Sequence, residues 1–191
     1  NELSIENTQR VNEYFLKTIY PMLTPMVFDS YHTFPVLMNN RLLFGVVTNN
    51  PNENQNQQKV SFIQVPQNLP RFYELALDGI IQFVPIEEII RNNVYNLFRN
   101  VEIISTNLCR INRNGDCTLE ECEDMESNFL EELRRKLKTR RSGRVVRLET
   151  EENPDPWMMR LLKIQWDLDE HNIFHVPQES MIDFSGLLQI I

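Results

Sequence analysis

Glycine is scarce, at 5 residues in 191. Loops that wrap a phosphate in backbone amides depend on glycine to bring the chain close, so no such cradle is expected. The phosphate-loop pattern GxxxxGKS/T, the dinucleotide pattern GxGxxG, the GxSxG elbow and the HExxH zinc helix are all missing. No apolar run approaches the roughly 20 residues that a membrane-spanning helix requires. The three cysteines, Cys109, Cys117 and Cys122, are odd in number and include no CxxC pair, so neither a zinc site nor a disulfide framework is expected. They read as reduced thiols. No secretory leader is expected, and a first residue of Asn rather than Met suggests a piece of a longer protein.

Positive charge is also in short supply: 19 basic residues stand against 27 acidic ones, a formal charge of -8. General nucleic-acid binding needs many phosphates neutralised by lysine and arginine, so nucleic acid is not expected as a partner. Yet eight of the 19 basic residues fall between Arg134 and Arg147 with no acid among them. A helix that runs from acid to base compensates its own dipole, and Glu131 and Glu132 precede Arg135 and Lys136 at i, i+4, which accounts for the first half of this run. Arg140, Arg141, Arg144 and Arg147 lie beyond that helix. On a regular strand Arg144 and Arg147, an odd number apart, point to opposite faces and cannot share one flat patch.

What is present is a clear succession of periods. Val11, Phe15 and Ile19 form one apolar stripe of a helix over 5–20, ended by Pro21 and Pro25. RLLFGVVT (41–48), KVSFIQV (59–65), RFYELAL (71–77) and IIQFVPI (80–86) read as strands, with the polar NNPNENQNQQ as an exposed loop and Asp78-Gly79 as a tight turn. This half reads as an antiparallel meander. After Pro85 the spacing of Ile89, Ile90, Val94, Leu97 and Phe98 becomes helical. A strand over 101–111, a turn at Asn114-Gly115, a capped helix from Thr118, a strand over 143–149, a helix from Trp157 to Trp166 and a short strand over 173–176 follow. The order predicts a single α+β domain over 1–191, a two-layer α/β sandwich with a mainly antiparallel sheet, helices packed on one face, and 1–25 as a helical lead-in.

Candidate chemistry is thin. Asp29 and His32 could form a general-base pair, but no nucleophile lies nearby in sequence, and a small hydrolase built on them is the least supported reading. His175 alternates with Phe174 on a strand, as a structural histidine would. Glu120, Glu121, Glu123, Asp124 and Glu126 sit in the opening turns of a helix, where negative charge is favoured without any metal. Neither a catalytic nor a metal-ligating residue is assigned.

Five collinear stretches carry a resemblance: YPMLTPMVFD with FPVLMNNRL, IQVPQNLPRFYEL, FVPIEEIIRNNVYNLF, CRINRNGDCTLEECEDMESNFLEELRRKLKTRRSGRVVRLE, and DFSGLLQI. Together they resemble the bacterial-type polyphosphate kinase family, and more narrowly its middle or head domain. The sharpest pieces are Leu69-Pro70-Arg71-Phe72, Phe83-Val84-Pro85, Arg110 to Asp116 and Gly143 to Glu149. Leu37-Met38-Asn39 departs from the more usual Leu-Ser-Asn, and Asn112 stands where threonine is usual.

The resemblance implies reversible transfer of the terminal phosphate of ATP to polyphosphate, with Mg²⁺ and a phosphohistidine, by a cytoplasmic enzyme for which peripheral membrane association is left open. It implies that the catalytic histidine lies in C-terminal domains absent here, as is an N-terminal domain, and that none of His32, His171 and His175 replaces it. This chain is then expected to be structural, dimerising and inactive alone, with no cofactor of its own. Its partners would be the remaining domains, other copies in a dimer or higher oligomer, and polyphosphate. Arg71, Arg110, Arg113 and Arg147 are the expected polyanion contacts, since guanidiniums fixed on or beside strands make bidentate phosphate ligands. The competing reading is a free-standing module that binds nucleic acid or an acidic partner through the basic 134–147 segment.

Overall fold

The computed structural model describes residues 3–29, 32–49, 58–77, 80–114, 143–177 and 180–190. The capped helix from Thr118, Cys117, Cys122, the acidic cluster at 120–126, the basic residues from Arg134 to Arg141, most of the polar 49–58 loop and the Asp78-Gly79 turn lie outside them.

Helix α1 (Ile5–Tyr14) starts at Ser4, whose hydroxyl accepts the Asn7 N–H at 3.2 Å. The chain continues through a π turn at Phe15–Ile19 and a 3₁₀ turn at Tyr20–Met22. Val11, Phe15 and Ile19 are buried as the stripe predicts. Beyond Pro25 lies a strand that the residue pattern does not announce, β1 (Met26–Phe28). It is followed by β2 (Leu42–Asn49), β3 (Gln58–Gln64), β4 (Phe72–Leu77), β5 (Ile80–Pro85), α2 (Ile86–Asn93) with a 3₁₀ extension Val94–Leu97, and β6 (Glu102–Arg113). Then come β7 (Val145–Glu151), α3 (Pro156–Trp166), β8 (Ile173–Val176) and a last 3₁₀ segment, Phe184–Gln189.

The main sheet has six strands in the order β1-β3-β2-β6-β7-β8, antiparallel throughout except for β7 and β8, which run parallel on either side of the α3 crossover. The mixed α/β class and mainly antiparallel sheet are as expected. The meander is not: β4 and β5 form a separate two-stranded sheet, and β3 takes β1 rather than β4 as its second neighbour. Two prolines, Pro66 and Pro70, lie on the path from β3 to β4, where they remove backbone donors from any continuing ladder.

Helices pack on both faces rather than one. Leu42, Phe44 and Val46 of β2 join Phe15, Ile19, Ile86, Ile89 and Ile90 beneath α1 and α2, with Leu75 of the hairpin. Leu43 and Val47 join Phe62, Ile111, Leu148, Met158 and Leu162 beneath α3. The cause is in β2 itself. It is apolar or glycine from Leu42 through Val47, with no alternation, and every one of these residues is buried, so each sheet face requires a cover.

Helix α3 is set by Asp155, whose carboxylate accepts the N–H groups of Trp157 and Met158 at 2.9 Å each, with Pro156 in the first turn. Asp167 closes it in the left-handed region at φ 51°. The helix approaches the sheet at Gly45, where a Cβ would stand 2.3 Å from the Met158 sulfur. Alanine suits a strand better than glycine does, but here it overfills a packed face. Gly45→Ala is expected to lower the unfolding free energy by about 1–3 kcal/mol, with part returned in a Met158→Val background. Urea unfolding of the two single variants and the double variant measures this, and a stabilising Gly45→Ala would refute the close packing.

Candidate functional site

The α1/α2 face of the sheet is apolar over β2 and changes character over β6 and β7. There Arg110 of β6 stands directly opposite Glu149 of β7, and its Nε donates to Glu149 Oε2 at 2.6 Å. Arg147, two residues before Glu149 on the same strand face, approaches the other carboxylate oxygen at 2.8 Å and lies over the Phe174 ring, 4.0 Å from its centroid. From the loop before β4, Arg71 grips Glu87 of α2 with two bonds, at 2.8 and 2.5 Å. Asp183, ahead of the last 3₁₀ segment, joins the halves: one oxygen accepts from Arg71 at 3.3 Å and the other lies 3.1 Å from Arg110.

The result is one chain of alternating charge, Glu87–Arg71–Asp183–Arg110–Glu149–Arg147, three guanidiniums against three carboxylates. Glu87 and Glu149 are 4% and 5% exposed. A carboxylate at such depth is stable only if paired and hydrogen-bonded, and these are. The C-terminal segment is held to the chain by more than charge. The Gln189 side-chain oxygen accepts the N–H groups of Arg71 and Phe72 at 2.7 and 3.4 Å, and Gly186 rests on the Arg71 stem and the Phe72 ring.

Burial alone would push the Asp183 carboxyl up. The Ser185 hydroxyl at 2.7 Å, the Ser185 N–H at 3.1 Å and the charges of Arg110 and Arg71 more than reverse this, and hold it below the usual carboxylate range.

A second, smaller cluster lies further along the same face. Arg91 of α2 binds Glu151 of β7, the Thr106 carbonyl at 3.1 Å and Glu88 at 3.4 Å, and its guanidinium sits 5.3 Å from the Phe44 ring centroid. Glu151 also accepts the Leu108 N–H at 2.9 Å. Neighbouring Cys109 is wholly buried. Burial, and then the nearby Glu151 charge, push its thiol up to about 12, so it is inert as a nucleophile.

Arg113, the remaining sequence candidate, lies apart from the chain. Its Nε and Nη2 donate to the Leu37 carbonyl at 3.3 and 3.2 Å, and its Nη1 donates to the Gly143 carbonyl at 2.8 Å. Among the described residues no carboxylate pairs with it. Burial draws its guanidinium below the ordinary arginine value. The loop at 37–40 is tied to this end of β6. Asn39 Oδ1 accepts the Arg113 N–H at 2.8 Å, and the Asn40 N–H donates to the Ile111 carbonyl at 2.8 Å. Asn112 Nδ2 reaches Asn40 Oδ1 at 3.4 Å. Both departures from the family pattern thus fall at one junction.

Arg144 and Arg147 do go to different places, but strand parity is not the reason. The β6–β7 register shifts between Asn112 and Arg113, so Val145 and Leu148, an odd number apart, pack into the same core face. Arg144 turns instead to Asp167 at the end of α3, at 3.3 Å.

The histidines close local structure. His32 Nδ1 is 2.7 Å from Asp29 Oδ1, which also accepts the His32 N–H at 3.0 Å, while Lys59 lies 3.7 Å from the other oxygen. The pair closes a turn. His175 meets the Thr150 hydroxyl at 3.0 Å, and exposed His171 is 3.9 Å from Asp169. No group of three or more histidine, cysteine or acidic side chains among the described residues is arranged to hold a metal. Nor is any helix among them long and apolar enough to cross a membrane.

Comparison with known proteins then identifies the architecture. A family model described as the polyphosphate kinase middle domain matches residues 6–190. The chain belongs to this family. The polyphosphate kinase of Mycolicibacterium gilvum is 33% identical over 185 residues, which are 95% of this chain and 25% of that protein. That of Mycobacterium avium is 31% identical over an alignment of 198 positions that covers 99% of this chain and 26% of that protein. The fold of the middle domain is shared with the crystal structure of polyphosphate kinase from Porphyromonas gingivalis, at TM-score 0.72 and 16% identity, over 99% of this chain and 26% of that one. The chain thus spans about a quarter of the length of these relatives.

The position of Asp183 sets a pH dependence for this middle domain. Its carboxyl is depressed in the folded state, so the unfolded chain binds more protons as pH falls. The contribution of Asp183 is complete above the ordinary carboxylate range and is lost on acidification through the folded value. Chemical denaturation between about pH 6 and pH 3 should show a shallower loss of stability in Asp183→Asn than in the unaltered chain. Identical pH profiles would contradict the pairing.

Proposed function

We propose that this chain is the head domain of a polyphosphate kinase, a structural and subunit-contacting part of an enzyme that reversibly transfers the terminal phosphate of ATP to polyphosphate. The observation that carries this reading is the family match over residues 6–190 of a chain that spans a quarter of its relatives. ATP, Mg²⁺ and the phosphorylated histidine belong on this reading to the remaining domains. The three histidines here are occupied in a turn, in a hydroxyl contact and at the surface, and no described acidic group fits a metal.

The arginine chain supports a structural role. Arg71 and Arg110, 13% and 17% exposed in their side chains, spend their donors on carboxylates of the same domain, and Arg147 is partly committed to Glu149. We retain all four arginines, Arg71, Arg110, Arg113 and Arg147, as proposed contacts to a polyanion, with the weight on Arg113. Subunit contact and cytoplasmic location belong to the same proposal.

The reading predicts that the 191-residue chain alone incorporates no phosphate from labelled ATP into acid-insoluble polymer in the presence of Mg²⁺. Incorporation above a heat-treated control would overturn it.

A further inference from the structure

Arg113 is the one sequence-predicted arginine that carries a half-buried charge with only peptide carbonyls as described partners. Carbonyl dipoles fix its orientation without cancelling its charge. Its three bonds use three of the five N–H donors of a guanidinium, and among the described residues the second N–H of each terminal nitrogen has no partner. Arg113 lines a cleft of about 360 Å³ together with Gly143, Arg144, Gln165, Trp166 and Asp167, where the end of α3 meets the start of β7.

A second guanidinium, that of Arg144, borders the same cleft and is lightly held. Its Nη2 donates to the Asp167 carbonyl and carboxylate at 3.2 and 3.3 Å, with the two side chains 64% and 94% exposed. An ion pair this open is worth little and yields to a better ligand. Among the described residues the two positive charges outweigh the Asp167 carboxylate together with the roughly half charge at a helix C-terminus, so their sum at the cleft is positive.

We propose that this cleft is an anion subsite that binds phosphoryl groups between Arg113 and Arg144. Arg113 is the fixed element, locked between the 37–40 loop and Gly143. Arg144 is the adjustable one, released from Asp167 as the anion enters. Asp167 already supplies a single carboxylate, so a ligand that displaces it must present more charge and oxygens on more than one side, as a phosphate chain does. The choice of a phosphoryl anion rests on the functional reading above, whereas the existence of the subsite rests on the cleft and its two guanidiniums.

The test is calorimetric titration of the 191-residue chain with tripolyphosphate, orthophosphate and ATP. Tripolyphosphate is expected to bind at least tenfold more tightly than orthophosphate, because it spans both guanidiniums. Gln165→Glu places a carboxylate at the exposed mouth without touching the Arg113 bonds, and it should weaken tripolyphosphate binding at least tenfold; Arg144→Ala should do likewise. Arg10→Gln, which removes a charge paired with Glu6 on the surface of α1, should leave it unchanged. Competition by ATP would assign the triphosphate of a nucleotide as the source, and its absence free polyphosphate, either supporting the subsite. Equal losses in Arg10→Gln and Gln165→Glu would reduce the effect to net charge and overturn the subsite. Binding that survives both cleft variants but is lost in Arg110→Lys would also overturn it, leaving the functional reading intact. No tripolyphosphate binding at all would overturn the subsite and the polyanion part of that reading together.

Discussion

Glu87 and Glu149 are carboxylates sealed from water, and the structure around them is arranged to keep each one paired. Arg71 and Arg110 answer them directly, and Asp183 answers the charge those arginines have left over. Because the six groups come from the loop before β4, from α2, β6 and β7 and from the C-terminal segment, the chain of charges fixes how the hairpin, the helix layer and the sheet meet. Removing one partner would leave a buried charge uncompensated, which costs far more than the net value of the intact pair. Arginines that look like a phosphate grip in the sequence are for the most part spoken for inside the domain.

Much of this was legible in the residues. The strands at Leu42–Asn49, Gln58–Gln64, Phe72–Leu77 and Ile173–Val176 follow directly from β-branched and aromatic runs, and α3 follows from the NPDPW restart and the apolar run up to Trp166, although of the expected inward residues Leu161, Leu162 and Ile164 only Leu162 is fully buried and Ile164 is 83% exposed. What was missed has identifiable causes. The signal for two covered sheet faces is the unbroken apolar run Leu42–Val47, whose β-branched and aromatic residues declare a strand but whose lack of alternation is what requires both faces to be covered. β1 is three residues long, too short for a period to declare itself. The bulge opposite Arg113 reverses side-chain parity on β7, and no residue type at Val146 announces it.

The site divides in the same way. Arg71, Arg110, Arg113 and Arg147 stand out in the sequence as arginines on or beside strands, and each makes side-chain contacts within the domain. Their partners were invisible because every one except Glu149 for Arg147 lies far away in sequence: Glu87 is 16 positions from Arg71, Asp183 is 112 positions from it, and Glu149 is 39 from Arg110. Charge pairing of that range is a property of topology, since β6 and β7 bring Arg110 and Glu149 face to face. Arg113 is different because its guanidinium's described hydrogen-bond partners are backbone carbonyls. That is why, among the described residues, the four arginines, alike in sequence, separate into a structural chain of three and one that pairs with no carboxylate.

The account stands on the coupling between Arg110 and Glu149. A double-mutant cycle of Arg110→Met, Glu149→Leu and the pair, followed by urea unfolding at neutral pH, isolates it. The prediction is that each single variant is strongly destabilised and the double variant recovers much of the loss, with a coupling of about 2 kcal/mol or more. Single-variant losses that simply add would show that the buried ion pair does not hold this end of the sheet together, and would contradict the account.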